Sequence, residues 1–166
     1  MRIEGAFRIA APRAEVWKRI TDPALMASCV PGCEAIERQS PTRYGARVKL
    51  AVGPIKASFN LVVEVVREEP PERVRSTTRG EEGSRASIVS AENVVALVEI
   101  DPVTTEVSYS SDVSVTGRLG KFGLGVMRKK AESMGADFVA AFRARVEDAG
   151  AAAGAAPAGA VAEGGR

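Results

Sequence analysis

Apolar and polar residues alternate along residues 2–9. Ile3, Gly5, Phe7 and Ile9 fall on one face and Arg2, Glu4, Ala6 and Arg8 on the other, the period of a half-buried strand. Pro12 then opens a short helix in which Val16, Trp17 and Ile20 share a face, and Asp22-Pro23 breaks it. A second short helix over 24–29 ends at Pro31-Gly32. From residue 34 the period returns to two. A short strand over 34–38 meets a turn at Ser40-Pro41-Thr42. Then Tyr44, Ala46, Val48, Leu50 and Val52 alternate with polar neighbours, and after Gly53-Pro54 so do Ile55, Ala57, Phe59, Leu61, Val63 and Val65. The two runs and their tight turn read as a long hairpin. A strand over 73–78 follows Pro70-Pro71, with its charges expected to face water. Gly80-Glu81-Glu82-Gly83 reads as a loop. Residues 86–100 are apolar on both sides in places, so their inward face is not defined by pattern, and neither is the facing of Glu92 and Asn93. Val107, Tyr109, Ser111, Val113 and Val115 mark a last alternating strand.

The period then changes to helical. From about Leu119 to Asp148, Met127, Ala131, Met134, Phe138, Phe142 and Val146 form an apolar stripe at i, i+3 and i+4 spacing. Of residues 150–166, fourteen are Ala, Gly or Pro. Such a segment has little to bury and is expected to be a disordered tail beyond a domain spanning 1–149. Consecutive strands joined by short turns form an antiparallel meander and not βαβ units. One face of that meander needs a cover, and the last helix is the element long enough to provide it. The expected fold class is therefore α+β: a curved antiparallel sheet of about seven strands around a long C-terminal helix, with two short helices after the first strand. The available fillers are mostly Val, Ala, Leu and Met, so a cavity between sheet and helix is expected.

Composition narrows the function. Of 166 residues, 45% are hydrophobic and only 5% aromatic, enough for an aliphatic core without disulfides. The 23 basic and 21 acidic residues leave a net charge of +2, too balanced for an electrostatic nucleic-acid footprint. There is no histidine, which removes the usual Ser-His and Cys-His nucleophile pairs and most zinc and non-haem iron sites. Cys29 and Cys33 flank Val-Pro-Gly. Two thiols alone do not complete a zinc site, and the spacing is not CxxC, so they read as reduced thiols, with a disulfide or redox role as the alternative. The first residues carry charge early and lack the apolar run of a signal peptide, and no window resembles a membrane span. A cytoplasmic protein is the expectation.

Some stretches carry a resemblance. Ala11-Pro12-Arg13-Ala14-Glu15-Val16-Trp17 opens the first helix. Cys29-Val30-Pro31-Gly32-Cys33-Glu34 follows the second, Val52-Gly53-Pro54-Ile55-Lys56-Ala57 makes the hairpin, and Gly117-Arg118-Leu119-Gly120 precedes the last helix. On these the chain resembles the G-subunit family of carbon monoxide dehydrogenase, within the START-like and Bet v 1-like helix-grip group, over residues 1–148. The resemblance implies a non-catalytic accessory protein of a molybdenum hydroxylase. Such a protein would bind a hydrophobic molecule such as a quinone and help bring the enzyme to the inner face of the cell membrane. Many members carry a membrane-binding C-terminal segment; the Ala/Gly tail here has no aromatic or basic amphipathic face.

The alternation nominates Phe59, Leu61, Val63, Tyr109, Val113, Met127, Met134 and Phe138 as cavity lining. Each would also contribute roughly 1.5–3 kcal/mol simply by packing, so core and wall remain open alternatives for every one. Pro31, Gly32 and Cys33 form either a rigid corner or a cavity mouth. Gly120 and Gly123, with Gly117 and Gly125, match neither a Walker loop nor G-x-G-x-x-G; they read as a flexible helix entry beside the mouth, through which a ligand would pass. Arg128, Lys129 and Lys130 form either a solvated face or a weak contact for anionic lipid. Helix-grip folds also host enzymes, and an adaptor with a filled core is a third possibility. No catalytic or metal-ligating residue is nominated.

Overall fold

The structure, a computed structural model, describes residues 1–155. Seven strands run in the order β1-β7-β6-β5-β4-β3-β2, every neighbouring pair antiparallel. They are β1 (Arg2–Ile9), β2 (Cys33–Ser40), β3 (Arg43–Val52), β4 (Ile55–Glu69), β5 (Arg73–Glu82), β6 (Ser87–Asp101) and β7 (Thr104–Gly117). The first strand lies beside the last, and the second lies at the opposite edge. The chain between them must therefore cross the sheet, and it does so as two short helices, α1 (Arg13–Ile20) and α2 (Pro23–Cys29). The Asp22 carboxylate caps α2, accepting from the backbone N–H of Ala24 at 3.1 Å and of Leu25 at 3.3 Å, with Pro23 in the first turn. After β7 and a short 3-10 turn (Leu119–Phe122), the long helix α3 (Leu124–Ala155) returns over the same face.

Two buried clusters hold these layers. At one end Ile9, Val16, Leu97, Val107, Phe142 and Val146 pack together. At the other, Val52, Ala57, Phe59 and Leu119 are buried, with Met127 against them. The second end is locked by charge. Arg118 donates to both carboxylate oxygens of Glu82, through Nε to Oε1 at 3.2 Å and through Nη2 to Oε2. Ser87 Oγ donates to the same Oε1 at 2.8 Å and accepts from the backbone N–H of Leu119 at 3.0 Å. Glu82 is 6% exposed. An Arg118→Met substitution leaves its carboxylate without a countercharge and is expected to cost about 3 kcal/mol in a urea melt. A Glu82→Met/Arg118→Met pair removes the stranded charge as well and should lie nearer to the wild type.

The order of elements and the sheet match the pattern reading, with two corrections and one open point now closed. Residues 80–83 are not a loop: β5 continues to Glu82, because Gly80 makes room for a neighbouring side chain and Glu82 finds Arg118 and Ser87. The facing of β6 is now defined by its pairing with β7. Leu97 opposes Val107 and Asn93 opposes Ser111, so odd residues point to the concave side and Glu92 is exposed. The helix begins at Leu124, after the 3-10 turn, and its backbone continues beyond Asp148 to Ala155, where alanine is the strongest helix former. The remainder of the expected tail, 156–166, lies outside the described residues.

Candidate functional site

The register of the β3–β4 hairpin sets one wall. Tyr44 pairs with Val63, Ala46 with Leu61 and Val48 with Phe59, so these side chains share the concave face. Across from them, the Asp22 cap fixes α2 so that Met26 and Ala27, with Val30 just beyond the helix, look toward the sheet. Between lies a cavity of about 260 Å³, closed on the α3 side by Phe138 and on the α1 side by Ile20. Phe138 is held in place by stacking on Phe142, with ring centroids 5.9 Å apart and planes at 8°. The wall is mainly aliphatic, with polar groups few and at its margins: Thr21, Cys33, Tyr44, Glu68 and Ser76.

Glu68 reaches the rim because of a bulge. The β4–β5 register shifts between Val65 and Arg67, which turns Val66 out to 58% exposure and moves the inward positions from odd to even residues. Tyr44 is covered by the Arg38 guanidinium, 5.6 Å from its ring centroid. Leu61 lies across Gly80, its partner on β5, in the space that a side chain at position 80 would occupy. Tyr109 lies in the same way across Gly5, its partner on β1, and its hydroxyl comes close to Gly135 of α3.

Of the expected lining, Leu61, Val63 and Phe138 stand in the cavity wall. Phe59 is buried in the Val52–Leu119 cluster, with Met127 packed on that cluster. Tyr109 fills the gap between β1 and α3. Val113 and Met134 are half-buried outside the wall. Of the corner, Cys33 lines the cavity, whereas Pro31 does not and Gly32, at φ +81°, sits tightly against the Lys49 carbonyl. Gly32 oxygen accepts from Lys49 N–H at 2.9 Å, so this corner is a strand-pairing device. Gly120 and Gly123 adjoin the Leu119 cluster and not the cavity, to which α3 contributes Phe138. The rim of the cavity is formed from the α1–α2 corner, β2 and the far end of β4. Pattern reading missed Ile20, Thr21, Met26, Ala27, Val30, Ile36 and Tyr44. Met26 and Val30, four apart behind a capping aspartate, were the available signal.

Both cysteines are free thiols, Cys29 buried and Cys33 half-buried. Among the described residues no group of three or more His, Cys, Asp or Glu side chains is placed to hold a metal ion, and no helix is long and apolar enough to cross a membrane.

A curved antiparallel sheet, a long helix across its concave side and an apolar chamber beside that helix define a protein of the helix-grip fold. Within that class, the chain belongs to the carbon monoxide dehydrogenase G-subunit (CoxG) family, whose sequence profile matches residues 5–147. A search of the curated proteins returns no match. Among solved structures, a conserved protein from Geobacillus kaustophilus superposes with a TM-score of 0.82 at 23% identity, covering 88% of this chain and 95% of that one. A START superfamily protein from Mycobacterium smegmatis gives 0.71 at 14%, covering 89% and 97%. The ZhuI aromatase/cyclase from Streptomyces sp. R1128 gives 0.63 at 16%, covering 89% and 93%. At these identities the likeness is one of fold.

Proposed function

We propose that this protein is a non-catalytic accessory of a carbon monoxide dehydrogenase-type molybdenum hydroxylase. It holds a hydrophobic molecule, of which a quinone is the leading candidate, in the chamber between α2 and the sheet. The observation that carries the reading is the cavity itself: about 260 Å³ with a wall mainly of aliphatic side chains, which a protein with a filled core would not keep. The family name points to the enzyme partner. Leu124 and Val126, 71% and 44% exposed at the start of α3, stand beside Lys121, Arg128 and Lys129 and support peripheral contact with an anionic membrane. Arg128 contributes less to that contact than its charge suggests, because it donates to the Arg2 carbonyl at 2.7 Å.

Native mass spectrometry of gently purified protein, followed by organic extraction, tests the reading. A co-purifying isoprenoid quinone, or uptake of one when offered, is the expected result. No bound molecule and no uptake would instead leave an adaptor whose cavity serves no ligand. Turnover of an offered hydrophobic substrate would turn the assignment toward the enzymatic use of this fold.

A further inference from the structure

Polar side chains stand on the concave face next to the apolar chamber. Asn93 on β6 is their hub. Its Nδ2 lies 3.3 Å from Ser76 Oγ and 3.1 Å from Thr78 Oγ1, and its Oδ1 lies 2.7 Å from Ser111 Oγ. The amide is placed with its nitrogen toward β5 and its oxygen toward β7. The 2.7 Å contact is typical of O–H···O, and the two longer ones suit N–H···O. Asn93 therefore donates both its amide protons and accepts from Ser111.

That arrangement leaves a definite residue of hydrogen-bonding capacity. Ser76 and Thr78 each accept from Asn93, so each retains its own O–H proton to give. Their hydroxyls stand two positions apart on the same face of β5, and Ser76 lies in the cavity wall. Ser111, by contrast, spends its proton on Asn93. Had the Asn93 oxygen faced β5, the two hydroxyls would have been used up as donors and the chamber would have met only lone pairs. Ser76 thus presents a donor to the chamber, and Thr78 stands next to it on the same strand face, outside the wall. The rest of the wall is mainly aliphatic, and the Glu68 carboxylate at its rim disfavours an anionic head.

We propose that Ser76 and Thr78, oriented by Asn93, form the receptor for a carbonyl-type hydrogen-bond acceptor on an otherwise apolar ligand. This deepens the reading of the chamber as a ligand site and rests on it.

The test uses a shape-matched pair of probes, 2-acetylnaphthalene and 2-isopropylnaphthalene, each displacing the fluorescent amine N-phenyl-1-naphthylamine from the intact protein. In a Ser76→Ala/Thr78→Val variant the preference for the ketone over the hydrocarbon, read as the ratio of their displacement constants, should fall about tenfold. Adding back the one hydroxyl, as Ser76→Ala/Thr78→Ser, should restore part of the preference. If both probes bind but the preference is the same in wild type and variant, the receptor is overturned and the chamber stands. If neither probe nor the amine binds the wild type, the chamber reading falls and takes the receptor with it. The infrared carbonyl band of 2-acetylnaphthalene bound to the wild type needs no variant. A shift to lower frequency relative to hexane solution is expected, and a band left at its hexane position overturns the proposal.

Discussion

Replacing Phe142 with alanine is expected to cost about 4 kcal/mol, the range for emptying a buried aromatic site, and to lower Tm by roughly 10 °C in a chain of this size. Phe142 is fully buried, stacks on Phe138 and meets Phe7 edge to face with centroids 6.3 Å apart. It is the central member of the cluster that fixes α3 to β1. Its loss also removes the support of Phe138 and so loosens one wall of the chamber. A urea melt of Phe142→Ala beside Leu124→Ala, whose side chain is largely exposed, measures the contrast. The second variant should sit near the wild type. Equal effects at the two positions would mean that α3 is not held where the buried cluster lies.

The second large effect is on binding. Ala46 is a small residue in the chamber wall, facing Leu61 across the hairpin. Ala46→Phe projects an aromatic ring into empty space. Ligand uptake should fall at least about tenfold, since the added ring takes the place of ligand and cannot be accommodated by a close-packed surround. Stability should hold or rise, because filling a void restores dispersion contacts that its lining lacks. Displacement of N-phenyl-1-naphthylamine and a thermal melt on the same sample separate the two. Undiminished binding in a folded Ala46→Phe protein would place the ligand elsewhere.

Much of the frame behind these expectations is legible in the sequence. The alternation from Tyr44 to Val65 defines both the hairpin and its inward face, so Leu61 and Val63 can be placed from the pattern. The stripe from Met127 to Val146 likewise identifies the helix that covers the sheet. What the pattern lacks is the third dimension along the helix axis. Phe59, Met127 and Tyr109 have the same inward phase as the wall residues, yet they fill the ends where α3 and the 3-10 turn come down onto the strands. The cavity is under α1–α2, and its position follows from β2 lying at the far edge from β1, a fact of topology that no local period encodes. One local signal misled, and two other features were silent in the sequence. Gly-Glu-Glu-Gly has the composition of a loop, but Glu82 acquires its partners from β6 and from the β7–α3 connection. β6 is apolar on both sides, so the inward facing of Asn93 emerges only from pairing. The bulge at Val66 inverts the phase of β4 and brings Glu68 inward against the alternation that precedes it.

The pairing of Leu61 with Gly80 has a consequence of its own. Gly80 is not part of the chamber wall, yet any side chain placed there would displace the tip of Leu61, and the direction left to Leu61 is into the chamber. The capacity of the chamber is therefore gauged from behind its own wall. One hydrogen atom on β5 holds open a space that a methyl group in the same place would narrow, so a change at this position would alter the room inside the chamber without altering a single residue of its wall.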